Sequence, residues 1–503
     1  MGSPERAVIM KILFLAPEFP DTFWSFKHAL KFIHRRASSP PLGLLTVAAM
    51  LPEEWEKRLV DLNVAALSDR DLAWADYAFI GGMIVQRDSA RQLIAQCKAA
   101  GVPVVAGGPL FTTEHEQFPD VDHFVLNEAE LTLPAFLADL ARGQAKRLYT
   151  SSEYADLRTT PMPLWELVDF RRYASMSVQF CRGCPYDCEF CNVTALLGHR
   201  PRTKTTAQVI AELDRLYELG WRGSVFFVDD NLIGNKRLVK SDLLPALVAW
   251  QHPKRQRRMP FTAQASMNLA DDDELLRLMA AAGFDTVFVG IETPDEDALA
   301  ACNKKQNLGR NLVDDVKRIQ RAGIEVYAGF IVGFDGDTPS TFERQIDFIQ
   351  RSGIVTAMVG MLQAPVGTRL YERMAREGRL LGEMTGDNVD GTTNLRPQMG
   401  LDVLREHYRA LLSYIYAPRH YYRRVRTFLR EYKQPAVRQR VDLQRVLALV
   451  RSALRLGVIG RERFQYWRLL AWTLFVRPRL LPQAVTLAIY GYHFRRVVEL
   501  HVL

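Results

Sequence analysis

From Lys11 to about Ala145, short apolar runs alternate with stretches whose apolar residues recur at helical spacing. The runs KILFLAP from Lys11, EKRLVDL from Glu56, YAFIGGM from Tyr77, VPVVAGG from Val102 and DHFVLNE from Asp122 are expected to be strands. Helices such as 89–100, which stops at Gly101, lie between them. This alternation predicts a doubly wound, Rossmann-like α/β domain over 1–145, with ligands held at the carboxyl ends of its strands. Gly81, Gly82, Gly107 and Gly108 stand at such ends, where a missing Cβ lets backbone approach a ligand closely; a tight turn would call for the same residues. No G-x-G-x-x-G follows the first strand, which argues against a dinucleotide there.

A polar, Pro-containing linker over 146–170 leads to a second strand–helix series. Its strands are expected near Ser175 to Phe180, Ser224 to Val228, Phe261 to Ser266, Thr286 to Ile291, Glu325 to Ile331 and Val355 to Leu362. Six such units predict a partial (β/α)6 barrel over 171–364 with its chemistry at the carboxyl-terminal rim of the strands. Over 365–503 the strand signal fades into helical patterns rich in Arg, Leu and Tyr. There YIYAPRHYYRRVRTFLREY, from Tyr414 to Tyr432, interleaves aromatics with arginines. Such a segment either stacks on nucleobases or, the commoner case, packs its aromatics inward while the arginines snorkel.

At 503 residues the chain exceeds one ordinary core, and 48% hydrophobic with 24% charged residues is a globular composition. The net charge of +8 is uneven, since 401–503 holds 20 Lys/Arg against 6 Asp/Glu, a net +14 that leaves −6 elsewhere. A basic end suits a phosphate group, an anionic membrane surface or a merely solvated arginine face; nucleic acid is not expected as a partner. No secretory pattern opens the chain, Met10 is an alternative start, and a cytoplasmic location is expected. The apolar stretch from Phe464 to Phe494 is interrupted by Arg468, Arg477, Pro478, Arg479 and Pro482, which fits peripheral membrane contact better than a span.

Four of the six cysteines fall between Cys181 and Cys191, an arrangement that speaks for metal chemistry and against a disulfide framework. Cys97 and Cys302 are expected to be ordinary thiols. In CRGCPYDCEFC, Cys184, Cys188 and Cys191 are spaced C-x3-C-x2-C immediately after the first barrel strand. Three thiolates on one loop can hold three irons of a cubane and leave the fourth without a protein ligand. Zinc is the alternative, but a closed zinc site wants four ligands, and only Cys181 or His199 is near enough to supply the fourth.

On this loop, with Phe190 as the aromatic before the last cysteine, the sequence resembles the radical S-adenosylmethionine (SAM) superfamily. Over Lys11 to Leu362 it resembles the branch with an N-terminal cobalamin (B12)-binding domain, and its tail resembles the domain of unknown function DUF4070 attached to many members, hopanoid methylases included. The resemblance implies a 4Fe-4S cluster on Cys184, Cys188 and Cys191 and a SAM molecule chelating the open iron, cleaved to a 5′-deoxyadenosyl radical. It places SAM contacts at Phe190, at Asp229 or Asp230 for the methionyl amine, at Glu292 for the ribose hydroxyls and at Gly329 and Gly333 for the adenosine. One cation among Arg200, Arg202 and Lys204 would serve the methionyl carboxylate.

The D-x-H-x-x-G motif of histidine-ligated cobalamin is missing, a departure shared by much of the radical branch. The implied cobalamin loops are Glu18 and Phe19, Gly81 to Gln86, and Gly107 to Leu110, with Met83 or Gln86 facing the lower side of cobalt. The expected activity is methyl transfer to an unactivated carbon, or to phosphorus, through methylcobalamin. Ring contraction, cyclisation or oxidation with the same cofactors is the second reading, and a non-catalytic iron–sulfur module the third. The expected partners are a small-molecule substrate, of apolar or isoprenoid type by the likeness to hopanoid methylases, and an external reductant such as a flavodoxin or ferredoxin.

Overall fold

The computed structural model describes residues 9–254, 258–387, 389–433 and 443–503. The chain forms two compact units. One holds the described residues up to Pro20 together with Ser39–Tyr173 and Ala211–Trp221; the other holds Asp21–Ser38, Ala174–Ile210 and Arg222–Leu503.

In the first unit, β1 (Lys11–Ala16), β2 (Glu56–Asp61), β3 (Tyr77–Gly81), β4 (Val104–Gly107), β5 (His123–Val125) and β6 (Leu148–Tyr149) make one parallel sheet in the order β2-β1-β3-β4-β5-β6. Successive residues of β1 are buried on opposite faces. Leu13 and Leu15 pack with Leu93, Cys97 and Phe111, while Ile12 and Phe14 pack with Leu44, Leu133 and Phe136. A strand covered on both sides carries a continuous apolar run, which is why β1 has no polar alternation. Order reverses between β1 and β3, the switch point at which such sheets bind ligands. The five expected strands are present, and the linker supplies the sixth, β6. Its two residues are too few to leave a periodic signal; Tyr149 is fixed by a 2.9 Å bond from its hydroxyl to Asp139 Oδ2.

In the second unit, β7 (Ser175–Val178), β10 (Ser224–Phe227), β11 (Phe261–Gln264), β12 (Phe284–Glu292), β13 (Glu325–Val332) and β14 (Ala357–Met361) form a six-stranded parallel sheet in sequential order. This is the expected partial barrel. A small antiparallel pair, β8 (Cys181–Arg182) with β9 (Arg202–Thr203), sits just after β7.

The tail is helical, and its helices Leu401–Tyr416 and Pro418–Glu431 belong to the same compact unit as the barrel. Three of their side chains cover the open edge of β14 and of the residues that lead into it. Arg424 Nη2 donates to Val355 O (3.3 Å), Tyr416 Oη to Ala357 O (2.6 Å) and Tyr408 Oη to Val359 O (3.0 Å). These alternate carbonyls are the ones a next strand would have bonded. Of the two readings of the aromatic and arginine run, the structure therefore supports packing, with Tyr416, Tyr421, Tyr422, Phe428 and Tyr432 buried. Arg424 does not snorkel: it is fully buried, with its guanidinium 5.7 and 5.2 Å from the rings of Tyr416 and Tyr421.

Candidate active site

The cysteine loop leaves the end of β7 through a turn that only glycine tolerates. Gly183 has φ +92°, and a Cβ there would lie 2.8–3.0 Å from the carbonyl oxygens of Arg200, Gly198 and Leu197. Cys184 N donates to Gly198 O (3.2 Å) and Cys191 N to Cys188 O (3.2 Å), so the loop closes on itself around its three partly exposed thiols. Burial raises the thiols of Cys184 and Cys191, the latter to about 12. Gln306 Nε2 lies 3.6 Å from Cys188 Sγ.

Cys181 stands apart from these three. It is buried, its Sγ points to Asn231 O (3.6 Å), and burial with the nearby Asp229 carboxylate keeps its thiol protonated. Among the described residues no group of three or more His, Cys, Asp or Glu side chains gathers around the position of one metal ion. A cubane does not ask for that, because each thiolate binds a different iron.

The loop is clamped from outside. Arg373, on the helix Arg369–Arg376, donates through Nε to Glu189 Oε1 (2.7 Å) and through Nη1 to Asp335 Oδ2 (2.7 Å). Asn303 Nδ2 donates to Asp187 O (2.7 Å), and Glu189 N to Cys302 O (3.0 Å). Phe190 packs edge-on against Phe334 with centroids 6.2 Å apart. A polar chain crosses the barrel rim to the loop: Asn231 Nδ2 donates to Ser266 Oγ (3.2 Å), Ser266 Oγ to Asn268 Oδ1 (2.7 Å), and Asn268 Nδ2 to Tyr186 Oη (2.7 Å).

Asp229 and Asp230 follow β10 and differ in what they do. Asp229 is fully buried and accepts from Phe180 N at 2.9 Å and from Cys181 N, so it anchors the start of the loop; burial raises its carboxyl to about 7. Asp230 is only half-buried, and burial raises it to about 6 against the pull of Arg182. Of the pair, Asp230 has its carboxylate outside that anchor.

Glu292, the last residue of β12, sits at φ +63° beyond a register shift. Non-glycine backbone in this region is costly and persists only when neighbours hold it. Gln345 Nε2 donates to Glu292 O (3.0 Å), and Asn307 Nδ2 to Gly290 O and Ile291 O (3.0 and 3.1 Å). The Glu292 carboxylate is paired with Lys304 Nζ at 2.6 Å. Burial works to lower the Lys304 ammonium, but Glu292 and the Cys188 and Cys191 sulfurs together raise it. Gly290 leaves space for this pair, since a Cβ there would fall 2.8 Å from Lys304 Nζ.

Gly333 has φ +101°, and its N–H donates to Asp337 Oδ2 (2.7 Å). Gly329 faces Phe288, whose Cζ would be 2.9 Å from an added Cβ. Trp24 stands edge-on to Phe288 at 5.4 Å and points Nε1 at Met358 Sδ (2.8 Å). Arg202, on β9, donates to Leu197 O (3.0 Å), and Lys204 is buried.

At the switch point of the first unit, Gln86 Nε2 donates to Pro17 O (2.5 Å) and its Oε1 accepts from Met83 N (3.0 Å), so both ends of the buried amide are tied to backbone. Met83 is 53% exposed. Phe19 N donates to Asn63 Oδ1 (2.9 Å) and Glu18 N to Ser89 Oγ (2.8 Å). Gly108 has φ +88°, a Cβ on Gly107 would lie 2.6 Å from Val125 O, and one on Gly81 2.9 Å from Leu44 Cδ2; Gly82 has room. Lys304, Gly183, Arg373, Asn231 and Asn63 escape a reading of the sequence, because nothing in their local pattern says which distant atoms they meet.

The pattern of the Radical SAM superfamily matches residues 178–349, that of the B12 binding domain 32–137, and that of a domain of unknown function (DUF4070) 368–502. An uncharacterized methyltransferase of Synechocystis sp. is 42% identical over 98% of this chain and 92% of its own length. The hopanoid C-2 methylase of Rhodopseudomonas palustris is 36% identical over 91% and 88%. In fold, the chain is similar to the cobalamin-dependent S-adenosylmethionine radical enzyme OxsB (TM-score 0.63, 14% identity, 99% of this chain and 85% of that one). It is also similar to the methyltransferase TsrM of Kitasatospora setae (TM-score 0.57, 17% identity, 74% and 78%). The chain belongs to the radical SAM superfamily, and within it to the cobalamin-dependent methyltransferases that join a B12 binding domain, a radical SAM domain and a DUF4070 domain.

Proposed function

We propose that the chain methylates an unactivated carbon of an apolar, isoprenoid-type substrate. The observation that carries this reading is the similarity to a hopanoid C-2 methylase across 91% of the chain, tail included. The apolar cluster of Trp24 with Phe288 of β12 and Met358 of β14 suits a hydrocarbon. When bound, the cluster supplies the electron that splits SAM, and cobalamin carries the methyl group.

In this reading Cys184, Cys188 and Cys191 hold the cluster; the donor set fits, being three sulfurs on one pinned loop with Cys181 turned away. Asp230 meets the methionyl amine, while Asp229 stays in place beneath the loop. Glu292, oriented by Lys304, accepts from the ribose. Gly329 and Gly333 admit the nucleoside, Phe190 lies against SAM, and Arg202 serves the methionyl carboxylate. For cobalamin, the candidate loop is the one that carries the exposed Met83, with Gly82 beside it and Gln86 bracing the loop behind it; Gly81, Gly107 and Gly108 keep the neighbouring strand ends close-packed. The domain limits 1–145, 171–364 and 365–503 are proposed as functional divisions. A cytoplasmic enzyme fed by a flavodoxin- or ferredoxin-type reductant, in peripheral contact with a membrane, completes the reading.

The test is anaerobic incubation of the reconstituted protein with methyl-labelled SAM, reductant and a pentacyclic hopanoid. Label in the hopanoid, with S-adenosylhomocysteine and deoxyadenosine released together, is the expected outcome. Deoxyadenosine without labelled hopanoid would overturn the substrate class and leave the radical chemistry standing.

A further inference from the structure

Helix Leu443–Ser452 runs into a π-helical turn, Ala453–Ile459, and then, after a short corner, into helix Arg463–Val476. Along the first of these, Val446, Val450, Leu454 and Val458 form an exposed row at i, i+4 spacing that ends beside Ile459, itself 69% exposed. Along the second, Phe464, Trp467, Leu474 and Phe475 form another, with Phe464 74% and Phe475 84% exposed. The rows join: Trp467 Nε1 donates to Gly457 O (2.9 Å), and a Cβ on Gly457 would lie 2.9 Å from the indole. The corner between them is rigid, because Glu462 is buried and paired with Arg495 at 2.5 Å.

So much exposed apolar surface in one place calls for a partner, and the charge around it says which. Of the eight arginines between Leu443 and Leu480, Arg451, Arg455 and Arg477 bond to Phe32 O, to Tyr492 Oη and to the Arg430 and Tyr432 carbonyls, and the one acidic residue there, Glu462, is taken up by Arg495. Arg461, Arg463 and Arg468 are exposed beside the apolar rows, and the Arg463 guanidinium lies 5.1 Å from the Phe464 ring. Two copies of so basic a face would repel one another. No helix among the described residues is long and apolar enough to cross a membrane. Apolar side chains rimmed by cations on a non-spanning helix pair are the chemistry of an interfacial contact with anionic lipid.

We infer that this face docks the enzyme on an anionic bilayer, with Ile459, Phe464 and Phe475 entering the acyl boundary and the arginines meeting phosphate headgroups. The inference rests on the peripheral membrane contact of the proposed function, to which it assigns a face and a lipid chemistry, and it stands whichever substrate the enzyme methylates.

Flotation with phosphatidylcholine–phosphatidylglycerol vesicles tests it on the full reconstituted chain. The protein is expected to float with these vesicles, less with pure phosphatidylcholine, and progressively less as salt is raised. The double variant Phe464→Ser/Phe475→Ser should lose more than about tenfold in partitioning, with deoxyadenosine formation from SAM in lipid-free buffer unchanged, which separates docking from chemistry and shows that the variant folds. Equal flotation of variant and parent, no flotation of either, a dimer that dissociates in the variant, or retention by RNA in place of vesicles would each overturn the proposal.

Discussion

Arg373 Nε lies 2.7 Å from Glu189 Oε1, and with its second bond to Asp335 this one guanidinium fastens the helix Arg369–Arg376 to the residue between Cys188 and Phe190. The helix falls within the DUF4070 match, so the tail domain reaches the cysteine loop directly. Charge-assisted bonds of this kind are worth about 1.5–3 kcal/mol each where partly buried. Arg373→Ala should therefore loosen the loop, giving less iron and sulfide per chain after anaerobic reconstitution and faster bleaching of the cluster absorbance in air. Iron content and bleaching rate equal to the parent would refute the clamp.

The four neighbouring cysteines should separate cleanly. Alanine at Cys184, Cys188 or Cys191 should abolish the iron–sulfur absorbance. Cys181→Ala, which removes a buried thiol that points to Asn231 O beside the Asp229 carboxylate, should keep it at a stability cost of about 1 kcal/mol. Loss of iron from the Cys181 variant in an otherwise folded protein would point to a four-sulfur site instead.

Gly183→Ala combines a left-handed backbone with contact against three carbonyl oxygens. The conformation alone costs about 1–2 kcal/mol, and the Cβ cannot be accommodated unless the loop opens. The expected phenotype is a chain with parental circular dichroism that fails to incorporate iron; normal incorporation would show that the turn can be made another way.

Glu325 gives a pH dependence with a definite sign. Burial, with Asp285 adding, raises its carboxyl from 4.5 to about 8, against a bond from Gln483. A raised carboxyl means that the folded state holds a proton the unfolded chain has released. Its contribution is fully present below about pH 4.5 and is lost as pH rises through about 8, at up to about 1.4 kcal/mol per pH unit. Glu325→Gln should flatten that slope and be more stable than the parent at and above pH 8, as read from anaerobic denaturant titrations across the range. An unchanged slope would show that the proton is held elsewhere.

The strands of both sheets were legible because parallel strands buried on two faces must be continuously apolar, as ILFL from Ile12 to Leu15 and VFVGI from Val287 to Ile291 are. The cysteine loop was legible because cluster chemistry fixes local spacing. What escaped depends on contacts between residues far apart in the chain. Asp229 and Asp230 are indistinguishable as letters, yet one is spent on the Phe180 and Cys181 amides. Gln86 offers a ligand-like amide on paper, but Pro17 O and Met83 N take up both ends. Lys304 carries no motif and is defined only by a Glu292 side chain twelve residues earlier, across a strained bulge.

The three side chains bonded to the alternate carbonyls of Val355, just before β14, and of Ala357 and Val359 within it have a practical corollary. A barrel excised before Leu401 would bare a hydrogen-bonding rim along its last strand, an invitation to edge-to-edge self-association. The helical tail thus acts as a substitute seventh strand, and swapping tails between relatives would demand that Tyr408, Tyr416 and Arg424 travel with a β14 of matching register.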